Sequence, residues 1–188
     1  MGNDIAQNNL FSTFSANLAA TAGIAHRADS LDDAIATIRG IAAGANPIWT
    51  SSRLVEAQPA LVNALREAGY DIRIPADPAE VRDQPVGMTL ARIGIAETGS
   101  LLLNEPELAD RSVSLMTNLL IAICPIAALK PSLDDAAPIL REIATPGPSY
   151  ATFVTGPSRT ADIERQLTIG VQGPAALHVV FLPPANPL

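Results

Sequence analysis

Thr155-Gly156-Pro157-Ser158-Arg159-Thr160-Ala161-Asp162-Ile163-Glu164 lies between the apolar run Tyr150 to Val154 and the helix-like segment Ile163-Glu164-Arg165-Gln166-Leu167. The order predicts a strand, a Gly-Pro-Ser turn and a helix start. Gly156 permits a sharp bend or a close approach, and Pro157 fixes the turn without donating a hydrogen bond. Free amides at the start of the following helix would face an anion. Ser158 and Thr160 add hydroxyls, and Arg159 a fork suited to two carboxylate oxygens. The same residues also read as plain helix-start chemistry. Ser and Thr are ordinary caps, and Asp162 with Glu164 complements the helix dipole and repels an anionic ligand.

Working outward, apolar runs alternate with helical patterns. Ile5, Leu10, Phe14 and Leu18 give a first helix within residues 4–25. Ser30-Leu31-Asp32-Asp33 and Ser132-Leu133-Asp134-Asp135 each open a helix as a Ser cap with an acid three residues on, so these Asp pairs are capping chemistry and not catalytic dyads. Strands are predicted at 47–50, 70–74, 86–93, 100–103, 119–124, 150–154 and 177–182, and helices at 54–68, 112–117, 132–143 and 160–168. Such alternation implies an α/β fold with a mainly parallel sheet covered by helices on both faces. Ligands on such sheets bind beyond the carboxyl ends of the strands. At 188 residues the chain is read as a single domain, residues 1–45 forming a mainly helical N-terminal segment.

A second turn, Gly94-Ile95-Ala96-Glu97-Thr98-Gly99-Ser100-Leu101-Leu102-Leu103, again joins apolar runs. With the first stretch, the Gly170-Val171-Gln172-Gly173-Pro174 turn and the closing Leu177-His178-Val179-Val180-Phe181-Leu182, it resembles the lactate-utilisation protein C family, the LUD domain. The likeness is close over residues 85–183 and only in outline before that. Family members usually carry His where Gln172 stands, so no imidazole is available there; they often show prolines after the Ser-Leu of the middle helix, where this chain reads Ser114-Leu115-Met116-Thr117-Asn118. The resemblance implies the fold shared by ribose-5-phosphate isomerase, glucosamine-6-phosphate deaminase and CoA transferases. It further implies a component of an L-lactate to pyruvate oxidation system, working with iron–sulfur partner proteins.

Composition bounds the chemistry. Net charge is −7, and the twelve cationic side chains include a single lysine, Lys130. No basic patch exists to hold phosphates, so nucleic acid is excluded as a partner. One cysteine, Cys124, leaves no disulfide within the chain and no self-contained iron–sulfur cluster. It lies in the apolar run 119–125 and is expected to pack as a small hydrophobe. Two imidazoles, His26 and His178, are too few for a metal site. No dinucleotide, Walker or nucleophile-elbow motif is present, so no cofactor is expected in this chain, and iron–sulfur clusters are expected only in its partners. The first residues lack a secretory signal and no apolar run is long enough to span a bilayer, which makes no membrane insertion and cytoplasmic residence the expectation.

Glu97 is the candidate catalytic residue, because an acid in a Gly-flanked turn between apolar segments can be desolvated and act as base or nucleophile. CoA transferases place their nucleophilic Glu in a similar Glu-x-Gly turn, a likeness at the level of fold. Alternatively Glu97 pairs with Arg159 or Arg111 and holds two loops together. The candidate ligand contacts are Thr98, Gly99, Ser100, Gly156, Ser158, Arg159 and Thr160, with Arg159 as carboxylate anchor. Two functions stay open: the non-redox component of lactate oxidation, and a stand-alone transferase or isomerase using Glu97 on an acyl or sugar-phosphate substrate.

Overall fold

Runs that are apolar at every position become the middle of a parallel sheet, since each such strand is buried on both faces. The computed structural model describes residues 2–147, 149–160, 168–170 and 173–184, with side chains from Ile5 onward. In chain order the elements are α1 (Gly2–Ala20), β1 (Ile24–Arg27), α2 (Leu31–Ala42), β2 (Ile48–Thr50), α3 (Ser52–Ala57), α4 (Pro59–Glu67), β3 (Ile72–Arg73), β4 (Val86–Ile95), β5 (Ser100–Asn104), α5 (Leu108–Met116), β6 (Leu119–Pro125), β7 (Leu129–Lys130), α6 (Ala136–Ala144), β8 (Ala151–Val154), β9 (Arg159–Thr160), β10 (Thr168–Ile169) and β11 (Ala176–Leu182). Short 3-10 turns intervene at Pro78–Val81, Ile126–Ala128 and Leu133–Asp135.

Six strands pair in parallel in the order β1-β11-β6-β4-β2-β3. Their alternation divides the core. On β6, Ile121 and Ile123 face a cluster built with Ala34 and Ile38 of α2 and Leu61, Val62 and Leu65 of α4. Leu120, Ala122 and Cys124 face the opposite layer, where Phe14 and Leu18 of α1 sit. The rings of Phe11 and Phe14 meet Phe181 edge-on, at 5.7 and 5.0 Å between centroids, a favoured aromatic geometry. Helix α5 covers the α1 side of β4 at Gly87, where a Cβ would stand 2.7 Å from the Val113 carbonyl oxygen. The mainly parallel sheet with helices on both faces is the architecture expected.

The C-terminal half of β4 leaves this sheet. From Ala91 onward, with a register shift before Ile93, it pairs antiparallel with β5, which pairs antiparallel with β8. Helix α6 closes the outer side of this small sheet through Ala136 and Ile143.

The capping readings hold. Ser30 accepts the Asp33 amide at 3.1 Å, and Ser132 with Asp135 forms a capping box. Several boundaries differ from expectation. The predicted helix 54–68 is two helices, because Pro59 starts a new one. The strand β1 was not expected within 4–45; it exists because β11 offers it a partner. The predicted helix over 160–168 does not form at its ends: Thr160 and Thr168 face each other in the antiparallel pair β9–β10. Residues 161–167, with Asp162 and Glu164, and Gln172 lie outside the described residues.

Candidate functional site

Antiparallel pairing of β5 with β8 sets Leu101 opposite Val154, so the Glu-Thr-Gly turn and the Gly-Pro-Ser loop meet at one end of the small sheet. Thr98 Oγ1 donates to Ser100 Oγ at 2.7 Å, and Ser100 Oγ lies 2.5 Å from Thr155 Oγ1. Both glycines have left-handed backbones, at φ +66° for Gly99 and +86° for Gly156. Neither faces open space. A Cβ on Gly99 would stand 2.4 Å from Leu18 N, and one on Gly156 would stand 2.7 Å from Thr21 O. The close approach for which these glycines exist is therefore that of the C-terminal end of α1. Asn17 ties the same helix down, donating to the carbonyls of Ala96 and Glu97 at 2.8 and 2.9 Å.

Glu97 is exposed. Its Oε2 accepts the Leu133 amide at 3.0 Å and its own amide donates to Pro131 O at 3.0 Å. The turn thus anchors the 3-10 segment 133–135. Neither the expected desolvation nor an ion pair with Arg159 or Arg111 is seen among the described residues. Arg111 instead lies over the Tyr150 ring, 4.5 Å from its centroid.

The other expected ligand contacts gather elsewhere. Ser158 N donates to Pro174 O at 2.8 Å, and Ser158 O accepts from Gly170 N at 3.0 Å. A Cβ on Gly173 would touch Ser158 Cβ at 3.1 Å. Arg159 is exposed and Thr160 half-buried on β9. Thr98, Gly99 and Ser100 therefore belong with Thr155 and Gly156, while Ser158 belongs with Gly170, Gly173 and Pro174, and Arg159 and Thr160 pair with β10.

Sequence reasoning missed a polar assembly beyond the carboxyl end of β2, beside Thr89 in the middle of β4. Glu105 and Asp110 are almost wholly buried, at 2% and 1% exposure. Both are satisfied, as buried carboxylates must be. Glu105 accepts from Thr89 Oγ1 and from Ser114 Oγ, each at 2.6 Å. Asp110 accepts the Ser52 amide and hydroxyl, each at 2.7 Å, fixing the turn that starts α3. Burial holds the Glu105 carboxyl above the usual carboxylate range, against the pull of its two hydroxyl donors. Beside this assembly runs a groove of about 440 Å³ lined by Arg53, Arg92, Asn104, Glu142 and Ile143. It continues into a recess of about 280 Å³ past Leu90 and Glu56. The available signal was Ser51-Ser52-Arg53, directly after a predicted strand, and Asn104-Glu105-Pro106, directly after another.

His26 Nε2 and His178 Nδ1 are 3.0 Å apart with stacked rings, on the adjacent strands β1 and β11. Burial holds both below the usual imidazole range. Among the described residues no group of three or more metal-ligating side chains assembles, and no described helix is long and apolar enough to cross a membrane.

Comparison with known proteins supplies what geometry does not. The model of a family described as the LUD domain matches residues 11–182. Lactate utilization protein C of Bacillus velezensis is 41% identical over 100 residues, covering 52% of this chain and 42% of that protein. The protein of the same name from Bacillus subtilis is 40% identical over 100 residues, with the same coverage. Each match thus spans less than half of the relative's length. Among solved structures, a DUF162 family protein from Deinococcus radiodurans superposes with a TM-score of 0.69 over 94% of this chain and 98% of that one, at 16% identity, a likeness of fold.

Proposed function

Since this chain belongs to the LUD domain family, we propose that it is a component of a lactate-utilisation system, acting in the oxidation of L-lactate to pyruvate. The observation that carries this is the match of about half the chain to proteins named lactate utilization protein C, at 41% and 40% identity. In this reading the chain carries no redox cofactor, and electrons pass to iron–sulfur partner proteins. The single cysteine, buried on β6, supports that division of labour. Arg159, exposed beside Ser158 and Thr160, is the contact offered to a substrate, product or partner carboxylate.

The test is growth of a deletion strain on L-lactate as sole carbon source, with glucose as control. Selective failure on lactate, restored by the wild-type gene, supports the reading; restoration by Arg159→Ala as well removes Arg159 from it. Normal growth, in a strain with no other lactate route, overturns it. Affinity capture of the tagged chain from lactate-grown cells tests the partners, which would bring with them the visible absorbance of iron–sulfur clusters.

A second reading, a stand-alone transferase or isomerase using Glu97, rests on the exposed carboxylate beside the Thr98–Ser100–Thr155 hydroxyls. The hydrogen bond from Leu133 weighs against it, since that carboxylate already has structural work. Loss of a purified activity in Glu97→Gln, with folding intact, would favour it over the first.

A further inference from the structure

The ten residues of β4 are buried or half-buried with one exception, Arg92. It stands at the register shift between Ala91 and Ile93, where β4 leaves the parallel sheet for the antiparallel one. Alternation puts Arg92 on the same face as Leu90, and both line the groove beyond the end of β2. Arg53 enters the same groove from the first turn after β2, a turn locked by Asp110. Asn104, at the end of β5, joins them. With its amide oxygen toward Arg53 it accepts from Nη1 at 3.2 Å and donates to Tyr150 O at 3.2 Å.

The place in the topology is equally informative. From β2 the chain runs outward to β3, whereas β4 leads to β6 on the opposite side. The carboxyl end of β2 and the Leu90 end of the parallel part of β4 therefore flank a crevice where the direction of strand order reverses, the location at which open α/β sheets bind ligands. The electrostatics fit one ligand class. Arg92 Nη2 holds Glu142 Oε1 at 2.6 Å, while Arg53 makes no ion pair among the described residues. The Glu142 carboxylate marks where a ligand's oxyanion would sit. That pair is exposed on both sides, 48% and 65%, so exchanging one carboxylate for another costs little. Glu56 and Glu142 at the rim limit the site to a small anion of low charge.

We propose that the Arg53–Arg92–Asn104 groove binds a small oxyanion, a carboxylate or a phosphate, which displaces Glu142 from Arg92. This holds whether or not the protein acts on lactate. Asn104 positions the Arg53 fork, and β4 presents Arg92 beside Leu90.

The test uses the purified full chain and follows the Arg side-chain Nε–Hε signals by NMR. It is titrated with sodium L-lactate, sodium pyruvate and inorganic phosphate, each against sodium chloride at matched ionic strength. Saturable shifts of the Arg53 and Arg92 signals are expected with at least one of the three but not with chloride, and which of them acts separates carboxylate from phosphate. Arg53→Gln and Arg92→Gln should each weaken binding by about tenfold or more, as loss of a charge-assisted hydrogen bond does. Glu142→Gln should strengthen it, and Arg73→Gln, on the exposed Asp71 pair outside the groove, should leave it unchanged. All four positions are exposed, so the variants are expected to fold, which circular dichroism checks. No saturable shift with any of the three anions, or equal weakening by Arg73→Gln, would overturn the proposal.

Discussion

Gly99→Ala tests the contact that fills the candidate ligand turn. At φ +66° an added Cβ carries the left-handed cost of about 1–2 kcal/mol. It would also stand 2.4 Å from Leu18 N, 2.7 Å from Asn17 C and 2.9 Å from Leu18 Cα. All three are backbone atoms of α1, so no side chain can swing away and the helix must withdraw. Overpacking of this kind costs a further ~1–3 kcal/mol, and it loosens Phe14 and Leu18, both fully buried. The total is about 2–5 kcal/mol. Gly44→Ala is the control, because Gly44 has φ +81° and nothing within 4 Å of an added Cβ; only the backbone cost of about 1–2 kcal/mol applies there. Both variants gain similarly from a stiffer unfolded chain, so that contribution cancels in the comparison. Urea unfolding of the two should differ by about 1–3 kcal/mol, read as a change in midpoint at constant slope. If Gly99→Ala proved no worse than Gly44→Ala, the turn would not be packed against α1, and a ligand role for Gly99 would gain ground.

Three further outcomes are expected. Because burial raises the folded-state pKa of Glu105, the folded protein binds that proton more tightly than the unfolded chain. Its contribution to stability is then full below the unfolded value of about 4.3 and lost as pH rises through the folded one, so urea midpoints of Glu105→Gln should gain on wild type between pH 4 and 7. The His26–His178 pair has the opposite sign: depressed folded pKa values give stability that is full above about 6.5 and lost as pH falls below it. His178→Gln should flatten the pH dependence of thermal melting over that range, and an unchanged slope would remove the pair as its source. Cys124 is fully buried with its thiol pushed up to about 12, so a thiol reagent should label it at pH 8 only at the rate of unfolding, and rapid labelling of the native protein would contradict its place on β6.

Where the signal is local, the sequence shows the element. Ser30 and Ser132 declare helix starts because each cap and its hydrogen-bond partner lie within three residues. The runs 119–125 and 176–182 declare buried strands because both faces are apolar. What escaped is set by partners distant in the chain. Ile24-Ala25-His26-Arg27 has no strand signature of its own and extends because β11 pairs with it. Arg159 and Thr160 look like a helix entrance until Thr168 and Ile169 are placed opposite. The candidate site divides in the same way. The meeting of Ser100 with Thr155 follows from turns at strand ends, which the sequence marks. Arg92 lines a groove only because Arg53 and Asn104, distant in the chain, stand beside it, and Glu105 is buried only because Thr89 and Ser114 donate to it. Pro59 is a different case, a local helix-start signal that divides the 54–68 pattern into two helices.

The insertion of β11 between β1 and β6 has a consequence for biosynthesis. Ile24 hydrogen-bonds alongside His178, and His178 alongside Ile121, so β1 has no sheet to join until the ribosome has released residue 182. Until then Phe14 and Phe11 lack the Phe181 ring they pack against. During synthesis residues 24–27 must therefore wait for residues 176–182 before they can pair, an interval in which their open backbone groups invite a chaperone or a neighbour. Loss of β11 would remove the slot that β1 needs and the bridge from β1 to β6.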